Sequence, residues 1–214
     1  MLENYSEQSI KDNCPHCDRT CWAFDYILKE SSYFTILCDA NPLIEAHLLI
    51  IPKRHVSCIA EYTPEEFVEF KKLYSLISEW ICKEYGSIAT FEHGKIGQTV
   101  FHSHVHLMPF LGQAEEIVPE GMKKLNSLQS LDNLFNVFQE EGQYLFFSLG
   151  SKMWTVDTSI GRPRFFRDRF AKALRRVERG NWKEMRKNPQ LLATRDIENK
   201  RCQDKFNLSL KDGI

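Results

Sequence analysis

The chain has 214 residues, 43% of them hydrophobic and 27% charged, enough to bury a core and suited to one domain or one domain with a sizeable extension. The longest strongly apolar run, residues 48–51 with their flanks, falls far short of the roughly 20 residues a membrane helix needs, and residues 1–13 lack the apolar stretch of a secretory signal, so a cytoplasmic protein with no membrane partner is expected. The formal net charge of −1 excludes a polycation, yet residues 1–106 hold 9 Lys and Arg against 15 Asp and Glu while residues 107–214 hold 19 against 14, leaving halves of −6 and +5. All seven histidines and six of the seven cysteines lie in the acidic half.

In chain order the first signal is Cys14-Pro15-His16-Cys17. An odd cysteine count without a secretory signal argues for reduced thiols, and two thiolates three positions apart in a polar, turn-prone segment can bite one tetrahedral zinc. Redox chemistry and plain loop cysteines are the rival readings, and the polar residues 9–13 count against the buried strand that a redox motif would follow. Runs at 24–29 and 33–38 flank Glu30-Ser31-Ser32 as a hairpin, and residues 47–51 form an apolar strand stopped by Pro52, which delivers Lys53-Arg54-His55 into a loop. Thr63-Pro64-Glu65-Glu66 opens a helix with an N-cap hydroxyl, a proline at the first helical position and a glutamate three residues after the cap. Phe67, Phe70, Leu73, Ile77, Trp80 and Ile81 then recur at helical spacing up to Gly86, so this helix packs on a sheet. A strand is expected near 87–91, a loop through Gly94 and Gly97, and a strand at 99–107. Beyond Pro109 the pattern predicts a helix at 125–138, strands at 144–149 and 152–157, and a polar tail after residue 188 that is free to fray. Residues 162–187 hold eleven basic residues against three acidic ones. Phe165, Phe166, Phe170, Leu174 and Val177 can form a buried face there, with the arginines as its solvated side. Some arginines could instead reach a polyphosphate or nucleic acid, although nucleic acid is not the favoured partner.

The most informative stretch is Gly97-Gln98-Thr99-Val100-Phe101-His102-Ser103-His104-Val105-His106-Leu107. In a strand, period two places His102, His104 and His106 on one face and Ser103, Val105 and Leu107 on the other. Three imidazoles in register are no packing solution. They could share a metal, or the central one could attack phosphorus, since neutral imidazole is a competent nucleophile near its pKa of about 6.5. Gly97-Gln98-Thr99 offers backbone N–H groups and a hydroxyl for phosphate oxygens, and only Glu92 is near enough in sequence to serve as a carboxylate ligand, so phosphate chemistry fits better.

Residues 98–107 resemble the signature of the histidine-triad (HIT) family, His-x-His-x-His followed by apolar residues. Cys38-Asp39-Ala40-Asn41-Pro42 running into His47-Leu48-Leu49-Ile50-Ile51-Pro52-Lys53-Arg54-His55 resembles that family's upstream landmark. The likeness covers roughly residues 14–110, and Arg164-Phe165-Phe166-Arg167 and Trp182-Lys183-Glu184-Met185-Arg186 resemble extensions of longer members. Ser103 departs from the usual apolar residue and, as an outward strand position, is expected to stay clear of the chemistry.

The resemblance implies a hydrolase of nucleoside phosphoric anhydrides or phosphoramidates that works through a nucleotidyl-histidine intermediate. His104 would be the nucleophile, with His106 contacting phosphate and His47 near the phosphate or leaving group. Gly97, Gln98 and Thr99 would meet the α-phosphate, Asp39 the ribose hydroxyls, and Leu37 and Ala40 a base taken to be a purine. In zinc-bearing members the C-x-x-C pair is completed by two histidines, here giving Cys14, Cys17, His55 and His102 as a closed structural zinc site, with no redox cofactor. The transferase branch carries Gln at the third triad position, so His106 favours transfer to water. A nucleotidyltransferase or phosphorylase, or a nucleotide-binding regulatory module with little turnover, is the alternative, and a homodimer is compatible with either. The expected fold class is α+β: an antiparallel sheet with the 63–85 helix against it, residues 1–110 as the catalytic domain with its zinc knuckle, and residues 111–214 as a basic α/β extension packed on it.

Overall fold

A computed structural model describes residues 10–211. The α+β class holds. Eight strands form one sheet, antiparallel at every pairing of its named strands. The chain runs β1 (Ile27–Glu30), β2 (Phe34–Cys38), β3 (Leu48–Pro52), α1 (Pro64–Tyr85), β4 (Ala89–Gly94), β5 (Val105–Met108), α2 (Ala114–Ile117), β6 (Leu125–Leu128), α3 (Asn133–Glu141), β7 (Tyr144–Leu149), β8 (Lys152–Val156), α4 (Phe165–Ala173), α5 (Trp182–Met185) and α6 (Pro189–Lys211). The sheet order is β1-β2-β3-β5-β4-β7-β8-β6. Strands from beyond residue 110 therefore extend the sheet begun by the first half, joined where β4 pairs with β7 from Ala89↔Leu149 to Gly94↔Tyr144.

Local chemistry accounts for the elements. Thr63 and Glu66 form the reciprocal capping box, the Thr63 hydroxyl accepting from the Glu66 N–H at 3.2 Å and the Glu66 carboxylate from the Thr63 N–H at 2.8 Å. Gly86 ends α1 in the left-handed region at φ 89°. The central strands β2, β3, β4, β5 and β7 are buried on both faces. Along β7, Tyr144 and Phe146 join the α1-side core with Phe70 and Trp80, while Leu145 and Phe147 join a second core with Phe91, Phe166 and Phe170 of α4.

Five expectations change. The strand expected at 99–107 begins only at Val105, where pairing with Ile50 of β3 starts. Residues 97–104 form a loop because the Ser103 N–H turns to the Val56 carbonyl at 2.6 Å. Ser103 is fully buried and donates to Glu92 at 2.7 Å, so it does not face outward. The helix expected at 125–138 is a strand followed by a helix. Two leucines three apart read equally well as a helical stripe, but Leu125 and Leu128 pair with Val156 and Met153, and Asn133 turns the chain by accepting from the N–H groups of Gln129 and Ser130. The tail expected to fray is the 23-residue α6, capped by Asn188 accepting from Gln190 and Leu191 and anchored by Phe206, edge-on to Trp80 at 5.1 Å. Finally, Arg167, Arg169 and Arg179 are buried rather than solvated. No helix among the described residues is long and apolar enough to cross a membrane.

Candidate functional site

The loop before β5 reaches two centres at once. On one side, the Sγ atoms of Cys14 and Cys17 and a ring nitrogen each of His55 and His102 lie within 4.8 Å of one another. His102 Nδ1 sits 3.5 Å from Cys14 Sγ and 3.4 Å from Cys17 Sγ, and His55 Nδ1 sits 3.3 Å from Cys17 Sγ. Zn–S and Zn–N bonds of about 2.3 and 2.0 Å imply tetrahedral S···N edges of about 3.5 Å, so this soft donor set fits zinc. His102 Nε2 donates to the Pro52 carbonyl at 2.8 Å, which leaves Nδ1 as the lone-pair nitrogen toward the thiols. Burial raises the Cys17 thiol to about 11, so the ligand form needs a cation to stabilise the thiolate.

On the other side lies a cleft lined by His104, His106, His16, Asp39, Ala40, Arg167, Thr99, Trp22 and Trp182. Its proton positions follow from a chain of hydrogen bonds. The Leu43 N–H donates to His47 Nδ1 at 3.0 Å, so neutral His47 carries its proton on Nε2 and donates to His106 Nδ1 at 2.9 Å. His106 therefore carries its proton on Nε2, and that atom is buried without a partner. The His106 ring is held flat on Phe91, 4.1 Å between centroids. His104 is half-buried, and its Nδ1 donates to the His102 carbonyl at 2.6 Å, leaving a lone pair on Nε2. Burial lowers the pKa of all three imidazoles, to about 4 for His47, so the neutral tautomers hold at physiological pH.

Asp39 closes the far side. One carboxylate oxygen accepts from the Asn41 N–H at 2.8 Å and the other from Arg167 Nη1 at 2.8 Å, the latter oxygen lying 3.7 Å from both His47 Nε2 and His106 Nδ1. Burial alone would raise this carboxyl, but the Arg167 guanidinium and the imidazoles bring its pKa below the usual value. Asp39, His47 and His106 also lie within metal-binding reach of one another; here Arg167 already supplies the cation and the histidines pair by hydrogen bonding.

The expected site residues divide. His104, His106, Asp39, Ala40 and Thr99 line the cleft, and His47 stands behind His106. Leu37 is fully buried with Ala23, Leu49 and Ile51. Gln98 donates to the Ser57 carbonyl at 2.6 Å. Gly97, at φ 78°, accepts from the Arg164 N–H, and a Cβ there would lie 2.6 Å from the Arg162 carbonyl oxygen. Sequence reasoning missed His16, whose ring stands edge-on to His104 at 4.9 Å, and did not place Arg167 or Trp182 in the cleft. The signals for the last two are the aromatic and arginine-rich character of residues 162–187 and the resemblance of the stretches holding Arg167 and Trp182 to extensions of longer family members.

An α+β sheet thus brings His47, His104 and His106 and the Asp39–Arg167 pair together beside a Cys₂His₂ cluster. The HIT domain model matches residues 25–111. An uncharacterized HIT-like protein of Chlamydia trachomatis is 32% identical over 83 residues, 37% of this chain and 75% of that protein, and the chain belongs to the HIT family. An adenylylsulfatase of Arabidopsis thaliana is 34% identical over 86 residues, covering 38% of this chain and 44% of that protein. The asymmetrical bis(5'-nucleosyl)-tetraphosphatase of Schizosaccharomyces pombe is 32% identical over 88 residues, 39% of this chain and 47% of that protein. The chain thus matches less than half the length of either of these two enzymes.

Proposed function

We propose that the chain is a hydrolase of nucleoside phosphoric anhydrides or phosphoramidates, working through a nucleotidyl intermediate on His104. The observation that carries this reading is the proton order in the cleft: a lone pair on His104 Nε2, beside an unpartnered N–H on His106 Nε2. In the first step His104 Nε2 attacks the α-phosphorus, a P–N bond forms, and the bond to the leaving group breaks with its electron pair departing on that group, a phosphate or sulfate leaving as the anion and an amine taking up a proton from solvent as it departs. The His106 N–H donates to a phosphoryl oxygen as negative charge builds there, and His47 fixes the donor's direction. In the second step water attacks phosphorus, the P–N bond to His104 breaks, its pair returns to Nε2, and the water proton passes to solvent. One hard displacement becomes two easier ones. The relatives named as an adenylylsulfatase and a nucleosyl-tetraphosphatase support this substrate class.

Thr99 and Ala40 would contact the nucleotide directly. Gly97, Gln98 and Leu37 would shape the walls behind them. Asp39, engaged by Arg167, would meet the ribose hydroxyls only by sharing its oxygens. Cys14, Cys17, His55 and His102 would hold a structural zinc, a closed four-donor set that pins the loop carrying His104 and takes no part in either step. Residues 1–110 would form the catalytic unit, and residues 111–214 an extension that lengthens its sheet and closes its cleft.

The test is to incubate purified protein with a dinucleoside polyphosphate, a nucleoside phosphoramidate and an adenylyl sulfate, quench in acid-free conditions, and map adducts by mass spectrometry. A nucleoside monophosphate on His104, absent from His104→Ala together with turnover, is expected. No turnover of any of the three, or turnover surviving His104→Ala, overturns the proposal.

A further inference from the structure

Trp182 lies 83 residues along the chain from Thr99 and well outside the segment matched to the family, yet it forms a wall of the cleft that holds His104. Its indole Nε1 donates to the Thr99 hydroxyl at 3.1 Å. That bond uses the ring's one polar atom to fix its orientation, and the Lys183 ammonium lies over one face, 5.6 Å from the ring centroid. Trp22 shares the cleft, its centroid 5.9 Å from that of Trp182 with the planes tilted by 33°. The guanidinium of Arg186, one turn along from Trp182, covers the Trp22 ring at 3.8 Å, so Trp22 is itself held by a cation–π contact from the same segment. Ala40 and Leu49 add small apolar surface. Two half-buried indoles, each fixed by a polar contact at its rim or on one face, make a poor core but a ready stacking surface for a flat heteroaromatic ring.

We infer that residues beyond the family domain build the base-recognition wall of this cleft, with Trp182, oriented through Thr99, stacking a purine of the substrate. This rests on the nucleotide reading above and adds to it the residue that sets base selectivity. A fused two-ring purine overlaps an indole more fully than a pyrimidine does, so purine nucleotides are favoured, and a sugar phosphate without a base loses the contact entirely. Because Trp182 comes from α5, docking of the extension and formation of the base site are one event.

Calorimetric titrations of the full chain with AMP, CMP and ribose 5-phosphate test the inference, using Trp182→Phe, which keeps a ring but no N–H, and Trp182→Met, which keeps volume but no ring. For the unsubstituted protein, AMP is expected to bind about tenfold or more tightly than ribose 5-phosphate, with CMP between them. Trp182→Phe should keep that order, and Trp182→Met should bring AMP and ribose 5-phosphate to within about twofold. A merely structural Trp182 would weaken all three ligands alike, so an AMP to ribose 5-phosphate ratio unchanged in Trp182→Met overturns the inference while leaving the nucleotide reading standing. Failure of the unsubstituted protein to bind any of the three removes both. Thermal melts of each variant confirm that the ratio is read on folded protein.

Discussion

Arg167 is the residue on which the cleft's charge balance turns. Its guanidinium reaches the Asp39 carboxylate and the Asn41 carbonyl, at 2.8 and 2.6 Å, and both members of the ion pair are buried. Removing one partner of such a pair leaves an uncompensated charge in the interior, which costs about 3–5 kcal/mol. Arg167→Met should lose stability on that scale in urea titrations, and the double variant Arg167→Met with Asp39→Asn should recover part of it. The same guanidinium helps to hold His47, His104 and His106 neutral. Without it their pKa values rise, and since attack requires unprotonated His104, the acid limb of kcat/KM should move to higher pH. A pH profile that stays in place while stability falls would confine Arg167 to a structural part. Arg167 was hard to place from sequence because its role depends on a contact 128 residues away, whereas His104, His106, His47 and Asp39 sit at short spacings in two contiguous stretches and carry their chemistry in their order.

At the scale of elements, the loop at 97–104 shows why alternation was only partly informative. His102, His104 and His106 alternate as a strand would, but only His106 is in β5. His102 is drawn to the cysteine pair and Ser103 to Glu92, so the side chains flanking His104 are tied to two different places. A metal in the Cys₂His₂ set would bind the knuckle, the loop after Pro52 and this loop together. About one zinc per chain is therefore expected by elemental analysis of freshly purified protein. Chelation should lower the melting temperature by several degrees, at roughly 2–4 °C per kcal/mol for a chain of this size, and should reduce turnover by loosening His104. Purified protein without stoichiometric metal, or a melt indifferent to chelation, would count against the site. The misread elements share a different cause. In β6 and α6, a few large side chains among polar ones decide burial, and which partner they meet is a tertiary fact: Leu125 against Val156, Phe206 against Trp80. In α1, by contrast, the stripe and its caps are local, and the helix runs from Pro64 to Tyr85 as its sequence predicts.

For the whole molecule, part of the opposed charge of the two halves is used to fasten them together. Arg167 pairs with Asp39, and Arg201 and Lys205 meet Glu45 across the same divide, while Arg179 pairs with Glu198 inside the basic half. A second tie between the halves is uncharged in its favoured state. Glu92 of β4 is buried, accepting from Ser103 at 2.7 Å, from the Ile59 N–H at 3.0 Å and from Tyr144 of β7 at 2.5 Å. Burial outweighs these donors and raises its carboxyl from 4.5 to about 7. The folded protein therefore holds a proton that the unfolded chain has already lost between those values, so the contribution of Glu92 alone to stability falls as pH rises from about 4.5 through about 7, by about 3 kcal/mol in total at 1.36 kcal/mol per pH unit. The buried histidines act in the opposite sense. His47 and His93, lowered to about 4 and about 3, cost stability as pH falls below about 6.5, where the unfolded imidazoles begin to bind protons. The two trends enclose a maximum on the acid side of neutrality. Glu92→Gln removes the carboxyl's ionisation while keeping an oxygen to accept from Ser103 and Ile59. Its stability relative to the unsubstituted protein should therefore improve between pH 5.5 and pH 8, because only the carboxylate is penalised at the higher value. Urea titrations at the two pH values read that difference directly, and an equal effect at both would place the ionisation of Glu92 outside the range in which this fold works.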